Sequence, residues 1–116
     1  MIDLDTIGLQ RFQASAGEAA DLMRALSNEK RLMILCQLGE RELAVSQLLP
    51  LVGLSQSALS QHLARLREEG LVGTRREGTA IFYRITDPAV LKVIAVLAEI
   101  FCPPPPGTQS QERTEA

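Results

Sequence analysis

Apolar residues recur at helical spacing through most of this chain. Over 10–26, Phe12, Ala16, Ala19, Met23 and Leu26 lie three or four residues apart along one stripe, which predicts a first helix. Ser27 and Asn28 offer capping oxygens ahead of a second helix, from Glu29 to about Gly39. Its segment Leu32-Met33-Ile34-Leu35-Cys36 is apolar almost all round, so this helix is expected at the centre of the fold. A short third helix is predicted over Val45–Val52, with Gly53 turning the chain into a fourth at Ser55. There Leu59, Leu63 and Leu66 share a face, and Gly70 ends the helix. The pattern then changes. Residues 71–76 and 80–85 are rich in Val, Thr, Ile, Phe and Tyr, with Glu77-Gly78-Thr79 between them, and predict two strands and a turn. Asp87-Pro88 opens a last helix with a cap and a proline at its first position. Four prolines at 103–106 stop it, giving one domain over 1–102 and a Pro-rich, then polar tail over 103–116, expected to be disordered.

The fourth helix carries the most telling chemistry. At about 100° per residue, Ser57, Gln61, Ala64 and Glu68 centre opposite the leucines, flanked by Ser60 and Arg65. A short helix dressed in hydrogen-bonding side chains, followed by a hairpin carrying Arg75 and Arg76, suits a DNA major groove and its flanking phosphates. The expected fold is mainly α with a small β-hairpin, a winged helix-turn-helix. Ser55, Gln56, Ser57, Ser60, Gln61, His62 and Arg65 are the candidate contacts on the helix; Arg75 and Arg76 are those on the wing. Gln56 and Ser57 have a second reading, satisfying free backbone donors at the helix start. His62 lacks a second histidine or a carboxylate cluster, so base or phosphate contact, or flank packing, replaces a ligand or catalytic role. The first and last helices have broader apolar faces than a small monomer needs. They either cover the second helix or form a homodimer interface, the arrangement that matches two DNA half-sites.

Composition sharpens this picture. Of 116 residues, 46% are apolar and 3% aromatic, so the core must be aliphatic. Net charge is −2, yet residues 55–86 carry five arginines against three glutamates, the only net-positive stretch. No apolar run reaches the roughly 18 residues of a membrane span, and the acidic N-terminus lacks a signal peptide's basic region, so a cytoplasmic protein is expected. Cys36 and Cys102 are too few and too far apart for a secreted disulfide scaffold. A bridge between them in a reducing compartment would be regulated rather than structural. There is no Cys-x-x-Cys, Gly-rich phosphate loop or Ser/His/Asp set, which argues against an enzyme and implies no cofactor. Glu68-Glu69 reads as the solvated end of a helix.

The helix order, the block Leu54-Ser55-Gln56-Ser57-Ala58-Leu59-Ser60-Gln61-His62-Leu63 and the closing apolar helix resemble the ArsR-type winged-helix transcriptional repressors over about residues 15–102. The resemblance implies a homodimer on double-stranded operator DNA with an inverted repeat, released by an inducer. The family's metal-ligand positions are not matched. Ala44 and Ser46 stand around Val45 where arsenic sensors carry two cysteines, and the last helix offers Asp87 and Glu99 but no histidine. The segments Asn28-Glu29-Lys30-Arg31-Leu32-Met33-Ile34-Leu35-Cys36 and Phe101-Cys102-Pro103 are similar to the dithiol persulfide-sensing branch of that family, the BigR- and SqrR-like repressors. That similarity implies a sensor of reactive sulfur species, in which Cys36 and Cys102 form an intrachain di- or polysulfide link that releases DNA. A metal- or peroxide-responsive repressor of the same fold is the alternative.

Overall fold

The computed structural model describes residues 8–101, so Cys102, the acidic N-terminus and the tail over 103–116 lie outside the described residues. Five helices and three short strands follow in the order α1 (Leu9–Leu26), α2 (Glu29–Leu38), β1 (Leu43–Ala44), α3 (Val45–Val52), α4 (Gln56–Glu68), β2 (Val72–Glu77), β3 (Ala80–Ile85) and α5 (Pro88–Phe101).

Local chemistry explains most of the boundaries. Asn28 caps α2 through its side-chain oxygen, which accepts from the Arg31 N–H at 3.0 Å. Ser27 has a different part: its hydroxyl donates to the Arg24 carbonyl at 2.9 Å and closes α1. Ser55 caps α4 by accepting from the Ala58 N–H at 3.1 Å. The far end of α4 is closed by Gly70 at φ 79°, with Gly70 N–H donating to Arg67 O and Leu71 N–H to Leu66 O. This pair of backward hydrogen bonds satisfies carbonyls left over at the helix end and seats Leu71 in the core. Asp87 accepts from the Ala89 N–H at 2.9 Å ahead of Pro88, as the sequence predicts.

The sheet is antiparallel with strand order β1-β3-β2. The hairpin pairs Val72 with Ile85 and Glu77 with Ala80, leaving Gly78 and Thr79 as the turn. Gly73 is required by a close approach, because a Cβ placed there would stand 2.8 Å from Thr86 Cγ2. Strand β1 is an addition to the expected hairpin: Leu43 pairs with Tyr83 and Ala44 with Phe82.

The core is wholly aliphatic. Ile34, Leu35 and Leu38 of α2, Leu48 of α3, Leu59, Leu63 and Leu66 of α4, and Val90 of α5 are fully enclosed, and no polar residue is buried among the described residues. α2 is therefore central, though Met33 points outward. The apolar stripe of α1 is buried only at Leu26; Phe12 is 48% and Met23 65% exposed. α5 behaves similarly, with Val90 and Ile94 inward but Val96, Ile100 and Phe101 exposed.

Candidate nucleic-acid interface

The interface is built on α3, the Gly53 turn and α4. Gly53 takes φ 66°, a left-handed conformation that glycine adopts without steric cost, and so permits the tight entry into α4. Once Leu59, Leu63 and Leu66 are fixed in the core, helical geometry turns Ser57, Ser60, Gln61 and Arg65 to solvent, and all four are exposed. Ser55 and Gln56 are exposed at the start of the helix, while His62 is half-buried on its flank. Ser55 is already engaged as the cap, and its Oγ lies 3.4 Å from Ser57 Oγ. Apart from half-buried His62, the candidate residues of this segment are thus all exposed.

The far end of α4 is tied to the centre of the fold. The Arg31 guanidinium of α2 donates to the Ala25 carbonyl at 3.0 Å and to Glu69 at 3.2 Å, joining the end of α1 to the residue that follows α4. This long-range contact lacked a local sequence signal. Arg65 lines an open cleft beside it, together with Asp21, Arg24, Asn28 and Asp87.

The wing separates its two arginines. Strand alternation puts Arg76 on the side that carries Val72 and Thr74, and Arg75 on the opposite side with Glu77. Arg75 Nε and Nη2 reach Glu42 at 3.0 and 2.9 Å, its Nη1 reaches Glu77 at 3.1 Å, and its carbon Cζ sits 4.9 Å from the centre of the Phe82 ring. Arg84 lies 3.8 Å from the same Glu42 carboxylate. Hydrogen bonds from Arg75, reinforced by the charges of Arg75 and Arg84, hold the Glu42 carboxyl below its ordinary range despite some loss of water; the same bonds raise Arg75. Arg75, expected as a cation open to phosphate, is instead occupied by two carboxylates. Arg76 is exposed and makes no ion pair among the described residues. Glu42 and Arg84 complete this cluster of charges and were missed by sequence reasoning.

Cys36 lies elsewhere. It is half-buried on α2, packed against the core, and α2 in turn packs against α5. Its expected partner Cys102 lies outside the described residues. No group of three or more His, Cys, Asp or Glu side chains among the described residues is placed to hold a metal ion.

Residues 28–74, which span the capped central helix, the helix-turn-helix and the start of the first wing strand, match the sequence pattern described as "Bacterial regulatory protein, arsR family". The HTH-type transcriptional regulator YgaV of Escherichia coli (strain K12) is 47% identical over 96 residues, covering 82% of this chain and 97% of that protein. The chain belongs to the ArsR family. Reduced HlyU from Vibrio cholerae N16961 superposes with a TM-score of 0.75 at 44% identity, covering 80% of this chain and 98% of that structure. The transcriptional repressor BigR from Xylella fastidiosa gives a TM-score of 0.75 at 40% identity, covering 82% and 97%. These relatives are named as transcriptional regulators, so this ArsR-family chain is a helix-turn-helix regulator and not an enzyme. No helix among its described residues is long and apolar enough to cross a membrane.

Proposed function

We propose that this protein is a cytoplasmic, homodimeric transcriptional repressor that leaves operator DNA when reactive sulfur species link Cys36 to Cys102. The observation that carries the sulfur reading is the placement of Cys36. It is half-buried on α2, which packs against α5, and the last described residue of α5 immediately precedes Cys102 in the sequence. A link between the two cysteines would bind α2 to the end of the helix whose exposed residues Val96, Ile100 and Phe101 suit a partner subunit. BigR is named a repressor and HlyU has been solved in a form named as reduced, which supports a thiol-controlled repressor. In the DNA-bound form, Ser57, Ser60, Gln61, His62 and Arg65 face the major groove, while Ser55 and Gln56 meet the backbone at the helix start. Arg76 grips a flanking phosphate.

The chemistry balances with a persulfide donor alone. One cysteine thiolate attacks the sulfane sulfur of R–S–SH and releases R–SH, giving a protein persulfide. The second thiolate attacks the inner sulfur of that persulfide and expels hydrogen sulfide, leaving a disulfide. If both cysteines are first persulfidated, attack of one persulfide on the other releases hydrogen sulfide and leaves a trisulfide. A disulfide needs Cα atoms within about 7 Å, and each inserted sulfur extends the bridge by roughly 2 Å. Sulfur insertion therefore relaxes the geometric demand on the two helices.

The test compares wild type, Cys36→Ser and Cys102→Ser. Intact mass and DNA retention are measured after treatment with a persulfide donor, hydrogen peroxide, or zinc and arsenite under reducing conditions. Wild type is expected to gain a link within one chain, in steps of one sulfur, and to release DNA, while both variants stay bound. Release of either single-cysteine variant refutes the two-cysteine mechanism. Release by metal under reducing conditions promotes the metal-responsive alternative, and release by peroxide alone promotes the peroxide-responsive one. HlyU of Vibrio cholerae is named a transcriptional activator, so a promoter fusion is needed to fix the sign of regulation.

A further inference from the structure

Arg75 has no nitrogen left open to an approaching anion without a carboxylate beside it. Glu42 takes Nε and Nη2, Glu77 takes Nη1, and the Phe82 ring covers one face of the guanidinium. The four charges Arg75, Arg84, Glu42 and Glu77 sum to zero, so this side of the wing attracts no phosphate on balance. A phosphate reaching Arg75 must displace a carboxylate or share the cation with it. Arg76, one residue along and on the other side of the strand, carries no such partner among the described residues. Phosphate contacts strengthen binding to every sequence alike. A cation withheld from the backbone therefore lowers affinity for every sequence alike, without touching base contacts.

We propose that Glu42, by holding Arg75 away from the DNA backbone, limits the sequence-independent part of this protein's DNA binding. The proposal rests on the reading of α4 and the wing as the DNA-binding face. Glu42 contacts no base; it acts through Arg75 and is a positioning residue. Glu77 assists at the tip of the hairpin.

The experiment measures fluorescence anisotropy of full-length protein on two duplexes over a salt series. One duplex is selected by the wild-type protein from a random pool, and the other is a scrambled sequence of the same length. Each phosphate contact contributes about 0.9 to the slope of log K against log salt, equivalent to roughly eightfold in affinity at 0.1 M relative to 1 M salt. Glu42→Gln is expected to bind both duplexes tighter by about that factor, with the slope steeper by about 0.9 on each. Discrimination between the duplexes stays unchanged, because both gain the same backbone contact. Arg75→Ala alone leaves the slope unchanged, and Glu42→Gln/Arg75→Ala returns it to the wild-type value. Glu42→Asp keeps the charge and restores the wild-type slope, which separates charge from packing. Glu77→Gln, at the exposed end of β2, is the second variant and steepens the slope in the same direction if Glu42→Gln misfolds. Flattening by Arg75→Ala alone overturns the proposal, because it shows that Arg75 already meets phosphate. Weaker binding of Glu42→Gln to both duplexes at an unchanged slope also overturns it, as does no change. Failure of the wild type to select any duplex overturns the DNA-binding reading itself, a distinguishable result.

Discussion

Ile100→Ala isolates the proposed subunit contact from the fold. Ile100 is 61% exposed on the last turn of α5, while Val90 and Ile94 of the same helix are buried. Alanine is at least as good a helix former as isoleucine, so the variant should keep the monomer's stability. Its effect on association follows from what is removed. Three carbons at about 0.8 kcal/mol per buried CH2, with three-fifths of the residue available for a partner to cover, amount to about 1.5 kcal/mol per copy. A two-fold interface uses the same patch twice, giving about 3 kcal/mol, or roughly a hundredfold weaker dimer at about 1.4 kcal/mol per tenfold. Sedimentation equilibrium across a dilution series reads this directly, with circular dichroism to confirm an unchanged helix content. Phe12→Ala, at a position 48% exposed on α1, should weaken the dimer in the same way. Leu51→Ala on α3, with 40% exposure, should not. Unchanged dissociation constants for both Ile100→Ala and Phe12→Ala would refute an interface made by the first and last helices.

Gln61→Ala and Arg65→Ala should each reduce preference for the selected duplex, by about 1–3 kcal/mol where a bidentate base contact is lost; intact selectivity in both variants would show that the reading face is misassigned. Arg76→Ala should weaken all sequences alike and lower the salt slope by about 0.9 per contact, as titrations at several salt concentrations will reveal. Gly73→Ala should destabilise the hairpin by about 1–3 kcal/mol through overpacking against Thr86, and Thr86→Ser, which removes the clashing Cγ2, should restore most of the loss in thermal unfolding. The Glu42 carboxyl sits below its ordinary range in the folded protein, so its contribution to wing stability is present above the unfolded-state value and disappears as pH falls through the folded one. Protection factors of the β2 and β3 amides, taken relative to intrinsic exchange at each pH, should therefore fall on acidification in wild type, and less so in Glu42→Gln.

The helices and the hairpin were legible because their signals are local. The oxygens of Asn28, Ser55 and Asp87 cap helices within two or three residues of themselves, and the spacing of Leu59, Leu63 and Leu66 selects one face of α4 whatever surrounds it. Strand β1 had no such signal. Two residues cannot display a period of two, and Leu43-Ala44 is extended because β3 offers it a free edge. The periodic stripe of α1 was legible as a helix, but its burial was not. Periodicity reports that a face is apolar, and only the packed chain shows that Phe12 and Met23 stay exposed among the described residues.

The candidate site divides along the same line. The outward residues of α4 follow from the leucines that must point inward, so Ser57, Ser60, Gln61 and Arg65 could be named from spacing. Arg75 and Arg76 are chemically identical neighbours in the sequence, and only the strand tells them apart. With a two-residue turn at Gly78-Thr79, Arg75 falls opposite Phe82, which places it near the aromatic ring from register alone. Its main partner was out of reach of that argument. Glu42 is 33 residues away and stands beside the hairpin because it immediately precedes β1, the element with no sequence signal. An arginine in a basic turn reads as a phosphate contact until the carboxylates that face it are known. Glu77 is a same-strand neighbour of Arg75, but Glu42 is brought by pairing across the sheet, so the electrostatics of the wing depend on a strand that only the folded chain defines.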